Sequence, residues 1–232
     1  MDDVVAEVLT LLDRVRQKAD ELGDALNAVL RRVPDLLSWI ADRIHEGWDE
    51  FVGKLKEFFS WCADKLAYAG DPGALEQVRD RWHEVAASTA ALGQRVSAGE
   101  LATDDSWQGD AADQYRQKIP DQKAAITAFR ADFASGITSG VDALRGGIIT
   151  FWIGVVVAVV ALISGIIGAL TSTATLFGAP AAPFIAAAAV LAALAAVGGG
   201  LLVLNSQASS AAGTIRGAAS SGLQSWPSFA LS

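Results

Sequence analysis

Between Arg145 and Arg216 the sequence contains no charged side chain, a run of 70 residues. Few folds have room for such a run, so its placement governs the rest of the reading. Within it, residues 148–170 read IITFWIGVVVAVVALISGIIGAL, 23 residues, which as a helix would span about 34 Å at about 1.5 Å per residue. Residues 184–204 read FIAAAAVLAALAAVGGGLLVL, 21 residues, or about 31 Å by the same rise. The hydrocarbon core of a bilayer is about 30 Å thick. The stretch TSTATLFGAPAAP, with two prolines, joins the two segments. The pattern predicts a two-helix transmembrane hairpin over residues 147–204. The competing reading is a central hairpin buried in a soluble protein. Against it stands the size of the run, more than a bundle of this length can wrap.

Small residues have an order in both segments. Gly154 precedes Ala158 by four, and Ala161, Gly165 and Ala169 follow the same step, as do Ala188, Ala192, Ala196 and Gly200. Rows of small residues let helices approach closely in lipid, where packing drives association. These nine positions are therefore expected to pack the two helices on each other, or on other copies in a membrane homo-oligomer.

The charge lies in the remainder. Arg216 is the only charged side chain beyond residue 145, so the first 145 residues hold −9 against −8 for the whole chain. Such a field repels phosphate backbones, which argues against nucleic acid as a partner. Arg130, Arg145 and Arg216 flank the outer ends of the apolar pair, and the connecting loop has no basic residue. The positive-inside tendency then favours both termini in the cytoplasm. The first residues, MDDVVAEVLT, start acidic and show no basic region ahead of an apolar one, unlike a secretory signal peptide.

Apolar residues in the charged part follow helical spacing. Val5, Val8, Leu12, Val15, Ala19, Leu22, Leu26, Val29 and Val33 alternate steps of three and four, a single stripe on a helix. Pro34 ends it. A second seam runs through Leu37, Ile40, Ile44, Phe51, Leu55, Phe58 and Cys62, with Trp48 carrying it past Gly47. Trp39, Phe59, Trp61 and Tyr68 lie off that stripe. They mark either a wider core or a docking face for a partner or lipid. Asp71 then serves as an N-cap with Pro72 at the first helical position. A third seam follows at Leu75, Val78, Trp82, Val85, Thr89, Leu92 and Val96, and a fourth at Ala112, Tyr115, Ile119, Gln122, Ile126, Phe129, Phe133 and Ile137. Pro120 inside the fourth should kink or split it. The expected fold is all-α: long antiparallel hairpins over residues 1–70 and 71–146 forming a four-helix bundle, the transmembrane hairpin over 147–204, and a flexible or partly helical Ser/Ala/Gly-rich tail over 205–232. In that tail Trp226 and Phe229 would be interfacial anchors.

Between the third and fourth seams stands DDSWQGDAADQY, residues 104–115. With seven Trp and 22 Gly in the chain, a Trp-x-Gly triplet alone says little. Its setting says more: the one turn of a long hairpin, followed by a small-residue helix start and an aromatic one turn on. On Trp107, Gly109, Ala111, Ala112, Tyr115 and the two flanking seams, residues 71–145 resemble the WXG superfamily. These are helical-hairpin proteins of type VII (ESX-type) secretion in actinobacteria and firmicutes. The resemblance implies that Trp107, Gly109, Ala112 and Tyr115 form a recognition turn, and that the partner is the secretion machinery or another WXG-like hairpin. The family's second signal, Tyr-x-x-x-Asp/Glu, is missing: Pro72 stands four residues after Tyr68 and Ile119 four after Tyr115. The hairpin over 1–70 is expected to act as a built-in partner.

No constellation for chemistry emerges. His45 and His83 lie in different helices without partners at ligand spacing, and Cys62 is the only cysteine. Asp104 and Asp105 suit a solvated turn or cap. The GGG at 198–200 follows no strand and opens no helix. The reading is therefore no catalytic residue, no cofactor and no metal. The expected function is that of a non-enzymatic membrane protein of type VII secretion, a target or accessory that docks through its helical bundle. The alternatives are a secreted effector that permeabilises membranes, inserting after export, and a membrane-anchored interaction module unrelated to secretion.

Overall fold

A computed structural model describes residues 2–67, 70–96 and 107–224. Tyr68, Asp104, Asp105, Trp226 and Phe229 lie outside the described residues. The chain is all-helical, with no strand among the described residues. Among the described residues six α-helices follow one another: α1 (Asp2–Leu30), α2 (Ser38–Leu66), α3 (Pro72–Arg95), α4 (Asp110–Ala128), α5 (Ser135–Ser172) and α6 (Ala182–Gln224). A π-helical stretch, Phe129–Ala134, separates α4 from α5, and short 3-10 turns precede α2 and α6.

Contacts divide the chain into two compact units. The first comprises residues 1–70 and 148–204, the second residues 71–147 and 205–232. The expected four-helix bundle of 1–70 with 71–145 is thereby corrected. The seam of the first hairpin finds its core partner in the apolar pair. The physical reason is supply: residues 148–204 offer far more apolar surface than α3 and α4, and burial of apolar area is what drives packing.

In the first unit the seams read from sequence are the core. Val8, Leu12, Val15, Ala19, Leu22 and Leu26 of α1 are buried, as are Ile40, Ile44, Phe51, Leu55, Phe58 and Cys62 of α2. They form one cluster with Trp152, Val155, Val159, Leu162 and Ile166 of α5 and Ala186, Val190, Ala193 and Val197 of α6. Phe59 and Trp61, two of the off-stripe aromatics, widen that core. Phe59 lies under the Arg16 guanidinium, 4.7 Å from its ring centre, and Trp61 meets Phe151 at 6.4 Å. Trp39 is the exception, 54% exposed. Gly47, the gap in the second seam, admits Pro183 and Phe184: a methyl group there would stand 2.7 Å from Phe184 Cε2 and 2.8 Å from Pro183 Cγ.

The second unit contains an antiparallel hairpin. Glu76 pairs with Arg145 and Arg79 with Asp142; further along, Trp82 meets Phe133, and Gly93 lies against Ile126. Asp71 caps α3 as expected, its Oδ1 accepting from Ala74 N–H at 2.9 Å, with Pro72 in the first turn. The third seam is corrected. Leu75, Trp82 and Thr89 are half-buried and Val96 is buried, but Val78, Val85 and Leu92 are exposed. The face turned inward instead carries Arg79, Ala86, Ala90 and Gly93. Pro120 does not split α4, which runs through it. It sits on the exposed side, and the irregularity falls later, at the π-helical stretch.

Of the two expectations for the tail, the helical one holds over its described residues. Residues 205–224 continue α6 as helix. Its Ala218 lies on Gly136, and Ala211 and Ile215 lie on Gly140, where a methyl group would stand 3.0 Å from Ala211 O. Both glycines lack the Cβ that would hold the helices apart. Ala-rich sequence favours helix, and the small-on-small contact holds it in place.

Cys62 is 2% exposed, and burial pushes its thiol from an ordinary 9.0 up to about 12. A buried thiol resists ionisation, whereas the unfolded thiol ionises from about pH 9. The folded state therefore loses stability as pH rises from about 9 to about 12, by up to about 1.4 kcal/mol per pH unit. Denaturant melts of the parent and Cys62→Ala should diverge over that window, with the variant showing the shallower decline; below pH 9 the difference should be flat.

Candidate functional site

Two surfaces are built by these sequences, one in each unit. The first is the turn that opens α4. Gly109 is the N-cap residue, with φ +106° and ψ 176°, a conformation that is essentially glycine's alone. Its carbonyl accepts from Asp113 N–H at 3.1 Å, closing the first helical turn. Asp110 and Asp113 lie in that turn, where negative charge suits the helix dipole. The turn is stapled back on itself: Arg116 Nη2 donates to the Trp107 carbonyl at 3.0 Å, and Arg116 Nη1 to Asp113 Oδ1 at 2.9 Å.

Trp107 packs on Tyr115, ring centres 5.6 Å apart and planes tilted by 48°, yet the indole remains 42% exposed. So it neither plugs the core nor hangs free: one face rests on the helix and the other meets solvent. Of the four predicted turn residues, Trp107, Gly109 and Tyr115 lie together around the α4 start. Ala112 is buried in the hairpin. No described residue stands within 4 Å of where a Gly109 side chain would point, and the positive φ is what calls for glycine there. Arg116 was missed by sequence reasoning. An arginine seven residues past a Gly-Asp helix start gave no signal that it would reach back to a carbonyl.

The second surface is the uncovered side of the apolar pair. α5 and α6 are long and apolar enough to cross a membrane by length and composition. On α5, Ile153, Val157, Val160 and Ile167 are exposed, and Ser164 completes their spacing of three and four. On α6, Ile185, Leu191, Leu202 and Val203 are exposed, Leu202 to 72%. The nine predicted packing positions divide between the two sides. Ala158 and Ala169 are buried, Gly165 lies against Ala189, and Gly200 faces Phe151, where a methyl group would stand 3.5 Å from the ring. Gly154, Ala161, Ala188, Ala192 and Ala196 lie on the exposed side. Within one chain, then, Ala188, Ala192 and Ala196 of the α6 row stay exposed, Gly200 alone of that row meets α5, and Ala189 takes the place against Gly165.

Among the described residues no group of three or more His, Cys, Asp or Glu is placed to hold a metal ion.

The turn gives a direct stability test. Gly109→Ala forces a methyl-bearing residue into a conformation costing about 1–3 kcal/mol, and Trp107→Ala removes an aromatic pair contributing about 0.5–1.5 kcal/mol. Thermal melts of the full chain should show the Gly109 change as the larger loss, although no described residue packs on it. Against known proteins, the chain matches no family model, no curated sequence and no solved structure.

Proposed function

We propose that this chain is a non-enzymatic membrane protein that acts in type VII secretion as a target or accessory. It anchors through the apolar pair of α5 and α6 and docks through the WXG-like hairpin of residues 71–146. The observation that carries the membrane part is the uncovered apolar side of α5 and α6, in a stretch without a charge. The hydroxyls in that stretch support it. Ser164 donates to Val160 O at 3.0 Å, Thr171 to Gly168 O at 2.7 Å, Ser172 to Ala169 O at 2.7 Å and Thr173 to Leu170 O at 2.7 Å. Each turns back on its own helix, as polar groups must where water is absent.

The secretion part rests on the resemblance of residues 71–145, supported by their antiparallel hairpin with a half-exposed tryptophan at the turn. The exposed row Val78, Val85 and Leu92 on α3 offers a second helical hairpin an apolar seam to join, and Trp107 offers it a marker beside the turn. A different reading, an exported membrane-permeabilising effector, draws its support from the cover that α1 and α2 lay over one side of the apolar pair. A protein that travels in water before it inserts needs such a cover.

Fractionation of producing cells tests the proposal. The full chain is expected in the membrane fraction, at a level that falls when the secretion ATPase is deleted or when Trp107→Ala is introduced. Recovery only in soluble fractions refutes the membrane anchor. Indifference to both the ATPase and Trp107 refutes the tie to secretion. Export followed by dye release from target vesicles selects the effector reading.

A further inference from the structure

We propose that α1 and α2 are a removable cover, and that the apolar pair crosses a bilayer only after the cover has parted from it. The inference rests on the membrane reading above and adds an order of events to it.

The geometry behind it is the course of α2 along the pair. Near one end, the Phe184 ring at the start of α6 is seated on α2: Arg43 lies 4.4 Å over its centre, and Gly47, one turn on, leaves room for its edge. Near the other end, Trp61 meets Phe151, and Gly70 lies against Ile148, where a methyl group would stand 3.3 Å from Cδ1. So α2 and the residues just after it are matched to the pair from the connecting turn to the outer end of the apolar stretch of α5. Any slab of hydrocarbon that held the pair would also hold α2 at the same depth.

That arrangement and a spanning one exclude each other. Between Arg43 and Trp61, α2 carries Arg43, Glu46, Asp49, Glu50, Lys54, Lys56 and Glu57. All but Lys54 are exposed, and the ion pairs Arg43–Glu46 and Lys54–Glu57 lie on the outer side. α1 adds the exposed pair Arg16–Asp13. Charges at bilayer depth are costly and need a polar cavity or a partner chain to face. Lifting the cover removes the conflict, and each surface it frees has a new partner. The covered side of the pair is apolar and meets lipid. The seam of α1 and α2 is a stripe with charges opposite, the form of helix that lies in the interfacial plane.

Phe184 in the notch of Arg43 and Gly47 is then the latch, and the test works it in both directions. In a Cys62→Ala background, Gly47→Cys with Phe184→Cys closes the latch covalently on oxidation. Neutral phosphatidylcholine vesicles avoid repulsion of the acidic chain. External proteinase K then reads crossing by the survival of a fragment over residues 148–204. The reduced protein is expected to yield that fragment, the closed protein roughly tenfold less, and added reductant to restore it. Gly47→Ala, whose methyl group would collide with the seated ring, is expected to raise the yield over the parent. A closed protein that yields as much fragment as the reduced one overturns the cover and leaves the membrane reading standing. No fragment from any form, Gly47→Ala included, overturns the membrane reading and the cover together.

Discussion

A run of 70 residues without a charge has to be kept from water, and that requirement organises the first unit. α1 and α2 supply one stripe each, and the stripes meet the same side of α5 and α6. The cover is one-sided. Two amphipathic helices present about 100° of apolar surface apiece, whereas α5 and α6 are apolar around their whole circumference over this stretch. A second layer of equal size would be needed to enclose them, and the first unit has none. Ile153, Val157, Leu191 and Leu202 are what is left over.

The second unit solves a different problem with different means. Its hairpin has little apolar area, so its contacts are specific and sparse. Two ion pairs join α3 to α5, Glu76 with Arg145 and Arg79 with Asp142. An aromatic group of Trp82, Phe129 and Phe133 fills the middle. Val96, Ile119 and Ile126 form a small cluster beyond it. Glycine does the rest, since Gly136 and Gly140 let the last turns of α6 settle against α5 at backbone distance. Exposed ion pairs contribute about 0–1 kcal/mol each, so they set register more than stability.

Sequence periodicity located α1 and α2 and their buried faces almost residue by residue, because a strict alternation of three and four has a single helical solution. It failed on α3 for a physical reason. Val78, Val85 and Leu92 keep the same spacing as a seam, but α3 is packed along the neighbouring row, where small residues permit a closer approach. Spacing defines a stripe and does not say which of two adjacent stripes is used. The partner of the first hairpin was illegible for the same reason: an apolar stripe is indifferent to what covers it. The notch at Gly47 looked like a flaw in a seam until Phe184 was seen to fill it. At the turn, Trp107 and Gly109 were legible as a pair, and the left-handed backbone of Gly109 fits the rule that such positions fall to glycine. The reach of Arg116 to a carbonyl nine residues back was not, since long side chains choose among acceptors that only the fold brings near.

The π-helical stretch at Phe129–Ala134 has a consequence for chain phase. A wide turn takes up one residue more than a regular one. Before it, the buried positions Ile119 and Ile126 are seven apart; from its last residue, Ala134, to Val141 the step is seven again; between Ile126 and Ala134 it is eight. The stretch thus acts as a one-residue insertion that a continuous helix has absorbed without breaking. It turns the first turns of α5 by about 100° about the helix axis. The rotation decides which side of α5 carries Gly136 and Gly140, so a single added residue sets the address at which the distant end of α6 comes to rest.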